Sequence, residues 1–328
     1  LITLTPNGLY CEAGDFYIDP WRPVSKAIIT HAHADHSRPG HAAYLAHHDS
    51  EPAMRLRLGH IHFSGLAYGE SIRIGRTRVS LHPAGHIYGS AQVRIEDSSG
   101  VWVITGDYKT TPDGVCAPFE PVRCDHLITE CTFGLPVFNW PDQNTVMESI
   151  RMWWQELANQ GRVAVIAAYS LGKAQRIINH LEDGPGKIFV HGAIANMNEA
   201  LVNHGLPIVK TIPIDAGQTF DDWKGHLVVC PPAALGTSWM KRFKNAGTAV
   251  ASGWMHLRGT RRRRSVDRGF VLSDHADWQG LNDAVAASGA KHVYATHGYR
   301  DTFSKWLCHL GYDAHVLEVF LDPDAQDA

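Results

Sequence analysis

The stretch Thr30-His31-Ala32-His33-Ala34-Asp35-His36 places four metal-competent side chains within six residues. It directly follows the apolar, β-branched run Lys26–Thr30, which reads as a strand. Alanines between the polar residues let a loop curl so that several side chains converge. Three imidazoles and a carboxylate suit a borderline divalent metal, Zn²⁺ first. A lone His-x-His pair would be an ordinary surface feature; this spacing at a strand end is not.

Further candidates lie at loop positions downstream. His86 sits in Pro83-Ala84-Gly85-His86-Ile87-Tyr88-Gly89-Ser90, and Asp107 in Thr105-Gly106-Asp107-Tyr108. Together with the first cluster they supply enough ligands for two metals. A carboxylate can bridge two ions about 3.5–4 Å apart, a spacing suited to phosphoryl hydrolysis.

Around these residues the first part of the chain reads as mostly β, with strands at Thr77–Leu81, Ala91–Ile95, Val101–Thr105 and Leu127–Thr129. Asp97-Ser98-Ser99-Gly100 is a hairpin signal. From Pro141 the texture changes. Thr145-x-x-Glu148 reads as a capping box, followed by Val146, Ile150, Trp153 and Leu157 at helical spacing. Trp153-Trp154 reads as core. Strands at Arg162–Ala168, Lys187–Val190 and His226–Cys230 then alternate with helices at Lys173–Leu181, Asn196–Asn203 and Trp239–Asn245. Such alternation implies a parallel α/β block. Beyond it, strands at Gly269–Leu272, His292–Thr296 and His315–Phe320 alternate with helices at Trp278–Ala287 and Thr302–His309, suggesting one domain inserted into another.

Bulk properties agree with a folded globular protein. Of 328 residues, 44 % are hydrophobic and 19 % charged, enough for a sizeable core. The net charge of −3 excludes a globally basic nucleic-acid binder. There are 21 histidines against 10 tyrosines, an excess that points to a metal. The six cysteines form no Cys-x-x-Cys pair and read as reduced thiols of a cytoplasmic protein. No apolar run approaches the roughly 18 residues of a membrane span, and the N-terminus does not read as a secretory signal.

The ordered set His31, His33, Asp35, His36, His86 and Asp107 resembles the metal-binding motifs of the metallo-β-lactamase fold hydrolases. Tyr17-Ile18-Asp19-Pro20 looks like their first motif, with Asp19 orienting the ligand loop from behind. Thr129-Glu130-Cys131-Thr132-Phe133-Gly134 resembles motif A of the β-CASP nucleases, and Gly172-Lys173-Ala174-Gln175 their Gly-[Arg/Lys]-x-Gln helix start. Leu272-Ser273-Asp274-His275-Ala276-Asp277 looks like motif B and Ala295-Thr296-His297-Gly298 like motif C. The motifs span Asp19 to His297, nearly the whole chain. Within that family the compact length, Asp15–Pro23 and Gly253-Trp254-Met255 before four arginines are most similar to the bacterial ligase-associated DNA exonucleases.

The resemblance implies an αββα metallo-β-lactamase sandwich (1–140 and 266–328) with an inserted α/β β-CASP domain (141–265). It implies that His31, His33 and His86 hold one zinc, that Asp35, His36 and His297 hold the other, and that Asp107 bridges. Mn²⁺ is an alternative metal. A hydroxide between the ions would be the nucleophile. His275 would contact the phosphate or protonate the leaving oxygen, with Glu130 fixing its tautomer. The implied activity is a DNA exonuclease running 5′→3′, acting in repair with an ATP-dependent DNA ligase in the bacterial nucleoid. His297 at motif C keeps an RNA-processing nuclease open as an alternative, and the first ligand set alone would allow a small-molecule hydrolase.

One charged stretch stands out. Between Lys241 and Arg268 nine Lys and Arg residues face the single acid Asp267. Arg258, Arg261, Arg262, Arg263 and Arg264, beside Trp239 and Trp254, are candidate phosphate contacts. Lys173, at a helix start, is a weaker candidate.

Overall fold

The computed structural model describes residues 1–257, 259 and 266–318. It divides into two compact units, one of 1–139 with 275–327 and one of 140–274.

The first unit begins with β1 (Ile2–Thr5), β2 (Gly8–Cys11), β3 (Phe16–Ile18), β4 (Lys26–Ile28), β5 (Ala43–His47), helix α1 (Glu51–Leu58) and β6 (Phe63–Leu66). These six strands pair in chain order, antiparallel up to β3 and parallel from there. Next come β7 (Ser71–Ile74), β8 (Thr77–Pro83), β9 (Ala91–Asp97), β10 (Gly100–Ile104) and β11 (His126–Glu130). The expected hairpin joins β9 to β10, with Asp97 opposite Gly100. The Asp97 carboxylate accepts the Ser99 N–H (2.8 Å), which closes the two-residue turn.

The second unit runs α2 (Gln143–Asn159), β12 (Ala164–Ala167), α3 (Lys173–His180), β13 (Ile188–Val190), α4 (Gly192–Asn203), β14 (Ile212–Pro213), α5 (Phe220–Trp223), β15 (Leu227–Cys230), β16 (Gly247–Ala251) and β17 (Arg268–Phe270). Its sheet has the order β14-β13-β15-β12-β16-β17, and every pairing is parallel. The central strand β12 is buried on both faces, as parallel strands covered on two sides must be. Ala164 and Ile166 join one core with Trp153 and Trp154 of α2, while Val165 and Ala167 join the other.

Three expectations are corrected in this unit. The N-cap of α2 is Asp142, whose carboxylate accepts the Thr145 N–H at 3.0 Å, so Thr145 is already inside the helix. The segment expected as a helix at Trp239–Asn245 forms only a 3₁₀ turn, Ser238–Arg242. The boundary expected after 265 falls at 274, because β17 pairs with β16 and stays in this sheet.

The chain then re-enters the first unit through α6 (Trp278–Ser288), β18 (His292–Thr296), α7 (Arg300–His309) and β19 (Asp313–Val316). The second sheet of that unit has the order β19-β18-β11-β10-β9-β8-β7, parallel from β19 to β10 and antiparallel beyond. Strand alternation explains its packing. Val103, Leu127 and Val293 point to one face, where they meet Leu281, Val285, Phe303 and Leu307 of α6 and α7. Their neighbours Ile104 and Ile128 point to the other face and share a core with Phe16, Ile18 and Ile28 of the first sheet. Burying an aliphatic side chain of this size is worth about 1.5–3 kcal/mol. The polar residues at the strand ends are therefore carried on a rigid base.

Candidate metal centre

The predicted ligands all leave the ends of strands or the turns just after them. β4 leads to Thr30–His36, β8 to His86, β10 to Asp107, β11 ends on Glu130, and β18 leads to His297. β11 lies between β10 and β18 in the sheet, so Asp107, Glu130 and His297 emerge side by side. Gly106 has φ 56°, and a Cβ there would lie 2.5 Å from the Thr30 Cβ. Only glycine lets the Asp107 turn pass so close to the histidine loop.

The geometry around Asp107 has two sides. Its Oδ2 lies 3.5 Å from His31 Nε2 and 3.8 Å from His86 Nε2. Its Oδ1 lies 3.6 Å from His36 Nε2, which is also 3.6 Å from Asp35 Oδ2. His86 Nε2 and His33 Nδ1 face each other at 3.1 Å, and the His36 and His297 rings stack with centroids 5.3 Å apart. One ligand atom from each of His31, His33, His86 and Asp107 fits within 4.8 Å of the others. Ligands of a tetrahedral ion with bonds near 2.0–2.1 Å stand about 3.3 Å apart, so these separations match a metal's first shell.

Hydrogen bonds behind the ligands fix which nitrogen faces inward. Asp19 accepts the Thr30 N–H (2.8 Å), the Thr30 hydroxyl (2.6 Å) and His36 Nδ1 (2.7 Å). With its one hydrogen given to Asp19, the Thr30 hydroxyl can only accept from His31 Nδ1, 3.1 Å away. Both rings thus keep a proton on Nδ1 and turn Nε2 toward Asp107. Those two Nε2 atoms are buried and have no hydrogen-bond partner among the described residues. A buried polar atom left unpaired is costly, and a divalent ion supplies the partner each lacks. Strain collects here too: Asp19 (φ 43°) and His297 (φ 57°) are non-glycine residues in the left-handed region.

Charges in the cluster are strongly coupled. Burial pushes the Asp107 carboxyl up to about 6, against the pull of His36 and His275. Burial also disfavours charge on His36, but Asp107, Asp35 and Asp19 outweigh it and raise the ring to about 10. Asp35 is held at about 2, since His36, His33 and His297 overcome its own burial. Burial and then the charge on His36 push His31 well below its usual value and His297 to about 4.

Beside this group stands a second one. His275 Nδ1 lies 2.8 Å from Glu130 Oε1, and Asp107 can place a carboxylate oxygen within 4.8 Å of both. Glu130 is buried and also accepts the N–H groups of Thr132 (2.9 Å) and Tyr108 (3.3 Å). Despite its burial, the charge and hydrogen bond of His275 and the Thr132 N–H hold its carboxyl at about 2. An ionised Glu130 keeps the proton on His275 Nδ1 and turns Nε2 away from it. The His275 side chain is 22 % exposed, so it can reach a bound group.

Lys173, expected as a phosphate contact, belongs to the second unit, is buried, and holds Asp274 Oδ2 at 3.2 Å. Arg258, Arg261, Arg262, Arg263 and Arg264 lie outside the described residues. Thr30 and Thr296 were missed. Each places its hydroxyl on the Nδ1 of the histidine that follows it, at 3.1 and 2.8 Å. The repeated Thr-His dipeptide was the available signal. Arg57, which bonds to the ligand loop, left none.

No family model matches the chain. A protein named as a probable DNA ligase from Opitutus terrae is 30 % identical over 318 residues, covering 95 % of this chain and 30 % of that protein. RNase aCSPSF2 of Saccharolobus solfataricus is 28 % identical over 145 residues, 43 % of this chain and 29 % of that protein. The chain thus spans less than a third of the length of these curated relatives. A solved structure of a protein of unknown function from Enterococcus faecalis covers 90 % of this chain and 79 % of its own, with TM-score 0.63 at 14 % identity. That likeness shows a shared fold. The motif order, the strand-end cluster and relatives that include an RNase are consistent with a metallo-β-lactamase/β-CASP nuclease.

Proposed function

We propose that this chain is a DNA exonuclease that hydrolyses phosphodiester bonds with two zinc ions, running 5′→3′, with Mn²⁺ as a second working metal. In this reading residues 1–139 and 275–318 form the αββα sandwich and 140–274 the inserted β-CASP domain. The observation that carries it is Asp107, whose two carboxylate oxygens face two separate sets of ligands. His31, His33 and His86 would hold one ion, and Asp35, His36 and His297 the other. Bound there, the ions would lower the pKa of water and neutralise charge gathering on the phosphate oxygens.

The chain's own groups do the rest. Asp19 and Thr30 orient His36 and His31, so the ligand set is arranged before substrate arrives. Glu130 holds His275 with its Nδ1 proton in place, and His275 Nε2 then binds the scissile phosphate or passes a proton to the leaving 3′-oxygen. The arginines at 258 and 261–264 supply charge for a nucleic-acid backbone.

DNA is favoured because a relative matched along almost this whole chain is named as a probable DNA ligase. A counterpart of this chain inside that longer protein supports a working partnership with a ligase in a bacterial cytoplasm. Among the described residues no helix is long and apolar enough to cross a membrane. RNA processing is the second reading, favoured by the RNase relative and by His297 at motif C. Matched end-labelled DNA and RNA strands with 5′-phosphate or 5′-hydroxyl ends, tested with Zn²⁺ and Mn²⁺, separate the two. DNA shortened stepwise from its 5′ end, with RNA cut far more slowly, is the expected result. Preferential RNA cleavage would overturn the DNA assignment.

A further inference from the structure

The ligand loop has a second support besides Asp19. Arg57, near the end of α1, donates from Nη1 to the Ala32 carbonyl at 2.7 Å, and from Nη1 and Nη2 to the Ser37 carbonyl at 3.4 and 3.5 Å. Those two carbonyls bracket His33, Asp35 and His36. The first bond is short and strong; the other two are long and complete the bracket. The residue as a whole is exposed, but its guanidinium is withdrawn enough that burial lowers its pKa, opposed by the nearby charge of Asp35. A planar fork with several donors suits a pair of carbonyls in a way a single ammonium does not.

We infer that Arg57 is a positioning residue that staples the ligand loop and so sets the affinity of the metal pair. The inference rests on the two-metal reading above. Its physical basis is preorganisation. A loop carrying three ligands in four residues, His33 to His36, has many ways to point them apart. Tying its two ends to a helix removes that freedom before the ions bind. Charge alone makes the opposite prediction. A guanidinium close to the ions repels them, so its removal would tighten binding if charge were its main effect.

The test is direct titration of metal-free protein with Zn²⁺ and with Mn²⁺, for the unaltered chain and for Arg57→Met and Arg57→Lys. The unaltered chain should take up two ions. Arg57→Met should bind the metal pair about tenfold more weakly, toward the lower end of the 10–100-fold usual for groups behind a ligand. Lysine should recover only part of the loss. Melting of the metal-free proteins should differ little, while the rise in Tm on adding metal should shrink. A merely structural role would do the reverse, lowering the metal-free Tm and leaving affinity alone. Unchanged or tighter metal binding in Arg57→Met, with two ions still bound by the unaltered chain, overturns the staple and leaves the two-metal reading standing. No uptake by the unaltered chain overturns both.

Discussion

Two buried polar clusters in this molecule look alike by composition and differ in how they are satisfied. In the second unit, Lys173, Arg176 and Asp274 are all buried. Lys173 Nζ and Arg176 Nη1 hold the two oxygens of Asp274 at 3.2 and 3.1 Å. Arg176 also donates to the Ser273 carbonyl and to Gln143 Oε1, each at 2.6 Å. In the first unit, His31, His36 and Asp107 are equally buried, yet His31 Nε2 and His36 Nε2 have no hydrogen-bond partner among the described residues. Where partners come from the chain, the cluster is part of the structure. Where they are lacking, the cluster is built for something that binds.

The sharpest way to break this contrast is to remove the central carboxylate from each cluster. Asp107→Ala should lose both ions together and lower cleavage by about 10⁴-fold, since the carboxylate faces both ligand sets. Metal analysis and single-turnover cleavage check it; a variant still holding two ions would remove Asp107 as the bridge. Without metal the effect on stability should be slight or favourable. Burial raises the Asp107 pKa from its usual value to about 6. Above the unfolded value its ionisation therefore opposes folding, by about 1–3 kcal/mol near neutral pH. Asp274→Ala should act in the opposite sense. It strands two buried cations and should cost about 3–5 kcal/mol, read by denaturant unfolding. Equal destabilisation by the two substitutions in metal-free protein would erase the distinction drawn here.

A smaller effect separates ligands from the catalytic pair beside them. His275→Ala should keep both ions and lose about 10²–10³-fold in cleavage, the range of a positioned acid. Glu130→Gln should follow it, because an amide no longer fixes the proton on His275 Nδ1 as a carboxylate does. Loss of metal from His275→Ala with turnover largely retained would exchange the roles of ligand and acid.

Much of the first cluster was legible because its residues are near neighbours in sequence. His31 to His36 declare themselves by spacing, and His86 and Asp107 by following strands, whereas His297 comes only from its resemblance to motif C. The second cluster was not legible. Gly172-Lys173 at a helix start looks like a phosphate site, and its true partner Asp274 is distant in sequence. No local pattern connects them. The strands β1 to β3 were missed because three or four residues are too few to show alternation, and Thr145 looked like a cap because Glu148 follows it at capping-box spacing, although Asp142 is the cap. The segment at Trp239–Asn245 has helix-compatible residues but stops at Arg242. Local pattern recovered the elements long enough to carry a period; tertiary pairing decided the rest.

The mildest prediction concerns protons and runs within the metal cluster itself. In the metal-free protein His36 has a pKa raised to about 10 by Asp107, Asp35 and Asp19, against its burial. Its Nε2 can hold an ion only after losing that proton, while Nδ1 stays bonded to Asp19. His31, whose pKa is pushed well below its usual value by burial, has no proton to lose near neutrality. Metal uptake through His36 should therefore strengthen about tenfold per pH unit between the Asp107 value near 6 and the His36 value near 10. Uptake through His31 alone should be far flatter. Calorimetric titration in buffers of different ionisation enthalpy counts the protons released. Asp19→Asn removes one of the three carboxylates that hold the proton on His36, so proton release should begin to fall at a lower pH than in the unaltered chain. Release from the unaltered chain that stays constant from about pH 7 to about pH 10 would show that His36 is already neutral before the ions arrive, and would leave the two sides of Asp107 electrostatically alike.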